Sequence, residues 1–155
     1  MKIGFTGTRR GMTPPQMAKM TQTAVMLLEH VTEFHHGDCV GADAEAHAVF
    51  KGLGVPVHVH PPSNPKMRAF CRGEYTNPPR PYLVRNKIIV EDTDVMFAAP
   101  GESEEQARGG TWSTIRYAKK WYIPKGKRAL YVFFPDGTLV FWPEPNVERS
   151  WLTGA

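Results

Sequence analysis

The chain has 155 residues, 41% of them hydrophobic and 22% charged, as in an ordinary soluble globular protein, and we expect a single domain over residues 1–155. The net charge of +4 is compatible with nucleic-acid binding, but the basic residues are spread along the chain, which favours a solvated surface with a phosphate-binding pocket. No apolar run approaches the ~18 residues of a membrane span, no secretory signal is visible, and two cysteines are too few for a disulfide framework. We therefore expect a cytoplasmic protein without a membrane partner.

In the first half of the chain, short β-type apolar runs alternate with segments of helical periodicity. Thr13 is a good N-cap, and Pro14 and Pro15 suit the first turn of the helix that follows it. The pattern predicts a strand over Lys2–Gly7, a helix over 13–32, a strand over 33–37, a helix over 42–53 and a strand over 55–60.

The second half opens with a segment rich in Pro, Asn and Arg, residues 61–81, which reads as a long loop that is either a functional lid or a mobile excursion. Further along, the pattern predicts a helix over 82–91, a strand over 94–98, a polar loop over 100–108, a helix from the GGTWST segment to Trp121, a strand over 128–134 and a hairpin partner over 138–142. Alternation of strands and helices predicts an α/β, Rossmann-like fold: a mainly parallel sheet flanked by helices, with a C-terminal antiparallel edge strand.

Ligands of such sheets bind beyond the carboxyl ends of the strands, and the loop after the first predicted strand, GTRRG, lies there. Glycine allows a tight turn and a close approach to a ligand. The predicted ligand-binding residues of this loop are Gly7, Thr8, Arg9 and Arg10, because a hydroxyl and two guanidinium groups suit phosphate oxygens. A glycine after a first strand is also common without a ligand, and the dinucleotide fingerprint G-x-G-x-x-G is missing.

The second candidate loop is GDCVGAD, residues 37–43. Small residues open the following helix, whose first amide groups are free to bind an anion. Asp43 either stabilises the helix N-terminus or accepts hydrogen bonds from ligand hydroxyl groups. The predicted ligand residues here are Gly37, Asp38, Gly41, Ala42 and Asp43.

The third loop, RGGTWST, is by composition the strongest of the three. Two glycines are a poor choice merely to begin a helix, whereas backbone amides and hydroxyl groups that converge on one point form a phosphate site. The predicted ligand residues are Gly109, Gly110, Thr111, Ser113 and Thr114, of which the last two are alternatively helix caps.

His58 and His60 alternate along the third predicted strand, so their side chains point to the same face of the sheet. Together with Cys39 or Cys71 they are candidate zinc ligands, but the spacings typical of zinc sites are missing. We therefore predict structural or pocket-edge histidines, no metal and no cofactor.

Four segments, taken in order, resemble the SLOG superfamily, which unites the Rossmann domain of DNA-processing protein A with the LONELY GUY phosphoribohydrolases. The segments are FTGTRR, HGDCVGADAEAH, RNKIIVEDTDVMFA and GGTWSTIRYA. The resemblance extends to about Trp121. It implies a Rossmann-like fold, a 5′-phosphate at the GGT helix start, and Arg85 and Asn86 near the same pocket.

The resemblance also implies a candidate activity, since LONELY GUY proteins cleave the N-glycosidic bond of a nucleoside monophosphate with an arginine and a glutamate. A carboxylate stabilises the positive charge that develops on the ribose. This chain departs from the hydrolase motif PGGxGTxxE, because Arg116 stands in the region of the glutamate and PGESEEQA precedes the double glycine. The candidate catalytic residues are Arg85, Glu102, Glu104 and Glu105, although each glutamate also fits a solvated acidic loop.

Two classes of function therefore remain open. The first is a binder, sensor or N-glycosidase of a small phosphorylated nucleotide, such as a nucleoside monophosphate or an ADP-ribose-like molecule. The second is a DNA-binding module related to DNA-processing protein A. We favour the first; the sequence leaves a homodimer open.

Overall fold

The computed structural model describes residues 1–122 and 128–143. The helices are α1 (Pro14–Leu27), α2 (Ala42–Gly52), α3 (Tyr82–Asp92) and α4 (Gly110–Tyr122). The strands are β1 (Lys2–Gly7), β2 (Glu33–His36), β3 (Val57–Val59), β4 (Tyr75–Thr76), β5 (Val95–Ala99), β6 (Ala129–Phe133) and β7 (Leu139–Trp142).

The strands form one sheet in the order β4-β3-β2-β1-β5-β6-β7. All neighbouring pairs are parallel except β6 and β7, which form an antiparallel hairpin. The chain builds outward from β1 to β4 on one side and from β5 to β7 on the other. The order therefore reverses between β1 and β5, the place where open α/β sheets bind ligands.

Alternate residues of the central strands are buried on opposite faces of the sheet. Along β5, Phe97 belongs to a core with α1 and α2, whereas Met96 belongs to a second core with α3 and α4. Helices on both faces explain why β5 is apolar at every position instead of alternating.

The predicted fold class is confirmed, and most boundaries agree within two residues. One difference lies in the first helix, which ends at Leu27 and continues as a 3₁₀ turn over Leu28–His30. A second lies in the predicted loop 61–81, which contains a 3₁₀ turn over Pro65–Met67 and the two-residue strand β4. No helix among the described residues is long and apolar enough to cross a membrane.

Asp38 fixes the course of the 61–81 segment. It is fully buried, and its carboxylate accepts hydrogen bonds from Arg68 Nε and from the amide of Cys71, both at 2.8 Å. Its carbonyl oxygen accepts a third bond from the amide of Ala69. A buried carboxylate requires such partners, so the long segment is anchored to the loop after β2.

Candidate ligand-binding site

A cavity of about 720 Å³ lies at the carboxyl ends of β1 and β5, where the strand order reverses. This volume is typical of small-molecule sites. The predicted ligand residues that line it are Gly7, Thr8, Arg9, Arg10, Asp43, Arg85, Asn86, Gly109, Gly110 and Thr111. The predicted residues that the structure places outside its lining are Gly37, Asp38, Gly41, Ala42, Ser113 and Thr114.

The first two loops are fastened to each other. The amide of Ala42, which opens α2, donates to the carbonyl oxygen of Thr8 at 3.0 Å, so this amide serves the protein itself. Gly41 has a φ of +90°, and a Cβ atom there would lie 2.2 Å from the carbonyl oxygen of Arg9. The glycine of the second loop therefore permits a close backbone approach that sets the position of Arg9 at the cavity.

Arg85, on α3, forms the floor of the cavity and is buried. Its Nη1 donates to the carbonyl oxygens of Gly37 and His60, and its Nε donates to Asn86 Oδ1 at 2.7 Å. These bonds explain why residue 37 is a glycine, because a Cβ atom there would lie 2.5 Å from Arg85 Nη1. Most of the hydrogen-bonding capacity of Arg85 is thus used to hold the loops around the cavity.

Asp43 also lines the cavity and is buried. Its carboxylate turns back toward its own loop, where it accepts hydrogen bonds from the backbone amides of Cys39 and Gly37. Burial raises the pKa of Asp43 to about 6, against the lowering effects of Arg85 and the two amides. The carboxyl group is therefore harder to ionise than an exposed aspartate, and its ionised form can accept hydrogen bonds.

The replacement Asp43→Asn tests this pKa. Because the pKa of Asp43 is raised, the folded chain binds more protons than the unfolded chain between pH ~4 and ~6. The contribution of Asp43 to stability therefore falls as the pH rises through that window. Asparagine cannot ionise. We expect Asp43→Asn to match the wild type near pH 4 and to exceed its free energy of unfolding by ~1–3 kcal/mol at pH 7.5.

Urea unfolding of both proteins from pH 4 to pH 7.5 measures this difference. All other titrating groups are common to the two chains, so the difference reports on position 43 alone. A difference that does not change with pH would contradict the raised pKa.

The third loop brings the N-terminus of α4 to the cavity. Gly109 has a φ of +106° and accepts the first helical hydrogen bond, from the amide of Ser113. The first amides of a helix lack a partner within the helix, and Gly110, Thr111 and Trp112, which carry them, line the cavity. Thr114 Oγ1 donates to the carbonyl oxygen of Gly110 at 2.8 Å, so this hydroxyl is bonded within the helix.

Of the three candidate glutamates, Glu102 lines the cavity. Its two carboxylate oxygens are held separately, by Arg10 Nη2 and by Trp112 Nε1, each at 2.8 Å. Glu104 and Glu105 are exposed, and Glu105 forms an ion pair with Arg116 at 3.6 Å. Glu102 is therefore the candidate catalytic glutamate that the structure brings to the site.

Sequence reasoning missed several residues of the lining, above all Tyr82 and Arg108. Tyr82 is partly exposed at the start of α3, and the guanidinium carbon of Arg9 lies 6.0 Å from the centre of its ring. Tyr82 belongs to no glycine-rich motif, whereas Arg108 is the first residue of the RGGTWST loop. The position of Arg108 directly before Gly109-Gly110 was the one available signal.

The cavity favours anions. Arg9, Arg10, Arg85 and Arg108 line it together with two acidic side chains, Asp43 and Glu102. The pKa of one of these, Asp43, is raised to about 6, and the other is paired with Arg10. Low-dielectric walls concentrate such a positive field, which attracts anions.

The amino-acid sequence matches no protein-family model and no curated protein sequence. Among solved structures, the molybdenum cofactor binding protein from the phototrophic bacterium Rippkaea orientalis is 20% identical, with a TM-score of 0.63, over 86% of this chain and 76% of that chain. DNA processing protein A from Helicobacter pylori, which binds single-stranded DNA, is 17% identical, with a TM-score of 0.58. That similarity covers 85% of this chain and 64% of the Helicobacter protein. The chain is therefore similar in fold to a cofactor-binding protein and to a DNA processing protein A.

Proposed function

We propose that the cavity at the carboxyl ends of β1 and β5 binds a small phosphorylated nucleotide or nucleotide derivative, such as a nucleoside monophosphate or an ADP-ribose-like molecule. The observation that carries this proposal is the convergence of the α4 N-terminus and three exposed arginines on one cavity of about 720 Å³. The chain is proposed to be a member of the SLOG superfamily, on the four motifs and the fold. The proposal also agrees with the binding of a cofactor by the neighbour from Rippkaea orientalis.

The phosphate is assigned to the start of α4. Gly109 and Gly110 leave space above the first amides of the helix, and the helix dipole adds a favourable field for an anion. Arg9 and Arg108 are exposed at the same cavity, and each guanidinium group is suited to bind two phosphate oxygens at once.

The remainder of a nucleotide has partners in the same cavity. Tyr82 offers an aromatic ring on which a base can stack. Asp43, at the opposite loop, lines the cavity and is suited to accept hydrogen bonds from the ribose hydroxyls. One side chain for each chemical part of the ligand supports a nucleotide over inorganic phosphate.

Cleavage of the N-glycosidic bond is a second candidate function, because Glu102 places a carboxylate at the wall of the cavity. Arg10 and Trp112 fix both oxygens of this carboxylate, which gives it a defined orientation toward a bound ligand. In a glycosidase, Glu102 would stabilise the developing cation of the ribose or orient the attacking water.

The first experiment incubates the purified chain with a mixed panel of nucleoside monophosphates and ADP-ribose derivatives, followed by filtration and mass spectrometry of both fractions. We expect an intact nucleotide to be retained with the protein, or free base to be released into the filtrate. Retention without cleavage identifies a binder, and free base identifies an N-glycosidase. Neither retention nor cleavage of any member would contradict the proposal.

Matched variants separate these outcomes. For a glycosidase, Glu102→Gln is expected to abolish the release of base and to keep nucleotide retention, whereas Glu104→Gln and Glu105→Gln are expected to behave as the wild type. A single-stranded oligonucleotide tests the DNA alternative. Its affinity would fall steeply with added salt through counterion release, whereas a pocket with one phosphate group loses much less.

A further inference from the structure

A cluster of three histidines lies on the sheet away from the nucleotide cavity. His35 on β2 and His58 on β3 are register partners, and His60 follows His58 on the same face. The ring centres of His35 and His58 are 4.6 Å apart, as are those of His58 and His60. The three residues can each offer one ring nitrogen within 4.8 Å of the others.

Two of these nitrogens already face each other. His35 Nδ1 lies 2.9 Å from His60 Nε2, and both side chains are buried. In a tetrahedral zinc site with Zn–N bonds of about 2.0–2.1 Å, two nitrogen ligands lie about 3.3 Å apart. A small outward movement of these rings therefore suffices to admit a metal ion between them.

Metals bind the neutral form of imidazole, and burial favours that form for His35 and His60. Burial, together with smaller effects of His35, His58 and Arg85, lowers the pKa of His60 to about 3. Burial also lowers the pKa of His35, with a smaller effect from His58.

Polar groups outside the ring cluster can orient the ligands. Glu33 Oε2 lies 3.5 Å from His35 Nε2, the carboxylate–histidine pairing that is common behind metal ligands. Asn77 contacts both His58 Nε2, through Oδ1 at 2.8 Å, and His60 Nδ1, through Nδ2 at 3.0 Å. If the side-chain amide of Asn77 turns by 180°, its Oδ1 accepts from His60 Nδ1, which leaves His60 Nε2 to bind the metal. His58 then gives up its bond to Asn77 and binds the metal instead.

A second cavity, of about 390 Å³, adjoins this cluster. It is lined by His35 and His58 together with Glu33, Asp92, Lys2 and Tyr75. The lining carries two carboxylates and one ammonium group, of which Glu33 Oε2 and Lys2 Nζ are paired at 3.3 Å. The cavity offers space for a fourth ligand, such as water, beside His35 and His58. Three histidines with one accessible position are a common zinc arrangement.

We propose that His35, His58 and His60 bind a divalent transition-metal ion of the Zn²⁺ type at the β2–β3 face of the sheet. Imidazole nitrogens suit zinc, copper and nickel, whereas magnesium and calcium prefer oxygen ligands. None of the three histidines lines the proposed nucleotide cavity, although Arg85, which does, donates to the carbonyl oxygen of His60 at 2.9 Å.

A second histidine cluster, His36, His47 and Cys71, fits a metal less well. His36 Nδ1 accepts a hydrogen bond from the backbone amide of Asp38, so neutral His36 carries its proton on Nε2, the atom that faces His47. Unlike the side chain of Asn77, a backbone amide cannot turn to accept a proton. Burial and Asp38 also raise the pKa of Cys71 to about 12, which disfavours the thiolate.

The test is calorimetric titration of the untagged, chelator-treated chain with ZnCl₂, together with the visible absorption of added Co²⁺. We expect one equivalent of Zn²⁺ to bind and Co²⁺ to show the intense absorption of a tetrahedral site. His60→Asn and His58→Gln, the second at a partly exposed position, are each expected to lower the Zn²⁺ affinity by at least about 100-fold. Glu33→Gln is expected to lower it by about 10-fold.

His47→Gln is the matched control, because it removes a histidine of the second cluster, and its Zn²⁺ affinity is expected to equal that of the wild type. Circular dichroism shows whether each variant is folded, and His58→Gln provides the result if His60→Asn is not. The proposal would be overturned if the wild type bound no Zn²⁺. It would also be overturned if Zn²⁺ binding were lost in His47→Gln and kept in His58→Gln.

Discussion

Gly110→Leu is expected to lower the affinity for the nucleotide retained in the panel assay by at least about 100-fold, or about 2.7 kcal/mol, with little change in the unfolding midpoint. A Cβ atom at position 110 would lie 3.5 Å from Tyr82 Cε2 and 3.7 Å from Asn86 Nδ2, at ordinary contact distances. The rest of a leucine side chain then occupies the cavity in front of the α4 amides. Calorimetric titration with the nucleotide measures the loss.

Gly52→Leu is the control for this replacement. Gly52 lies near the end of α2, is exposed, and has no atom within 4 Å of a Cβ built on it. We expect its nucleotide affinity to equal that of the wild type. Unchanged affinity in Gly110→Leu would move the ligand away from the start of α4 and would contradict the proposed phosphate position.

Gly41→Ala is expected to destabilise the folded chain by at least ~3 kcal/mol, which corresponds to a fall in Tm of roughly 6–12 °C. The backbone of Gly41, with φ at +90° and ψ at −126°, is in a region that L residues avoid. The added Cβ would also lie 2.2 Å from the carbonyl oxygen of Arg9, and a backbone carbonyl cannot move aside as a side chain can. Differential scanning calorimetry measures the change.

Gly54→Ala separates the cost of backbone strain at a positive φ from the cost of steric overlap of the added Cβ atom. Gly54 also has a positive φ, at +79°, but a Cβ atom there meets nothing within 4 Å. We expect it to cost ~1 kcal/mol, the strain alone. Equal losses in the two variants would show that contact with the Arg9 carbonyl contributes nothing and that the two loops are not held together at this point.

The central elements follow from the sequence because their signals are local. The N-cap at Thr13 and the apolar run of β5 each act within one element, so the residue order indicates them. The structure adds that Thr13 forms a capping box with Gln16. The glycine-rich loops were found for the same reason. Their glycines have mixed roles, however: Gly110 lines the cavity, whereas Gly41 serves contact between loops, and residue order does not distinguish the two.

The remaining features depend on contacts between distant segments. β4 has two residues and is held by β3 and by the side chain of Glu74, which accepts from the amide of Val57 at 2.5 Å. No periodicity can be read from two residues. His35 was not expected beside His58 and His60, because that neighbourhood requires the register of β2 against β3.

The central position of β1 has a consequence for the order of folding. Its partner on one side, β2, begins at Glu33, but Ile3 pairs on the other side with Val95. During synthesis, β1–β3 can associate with α1 and α2 well before β5 has left the ribosome. The nucleotide cavity needs the residues after β5 as well, so a nascent chain acquires its candidate binding activity late, together with the second core between the sheet, α3 and α4.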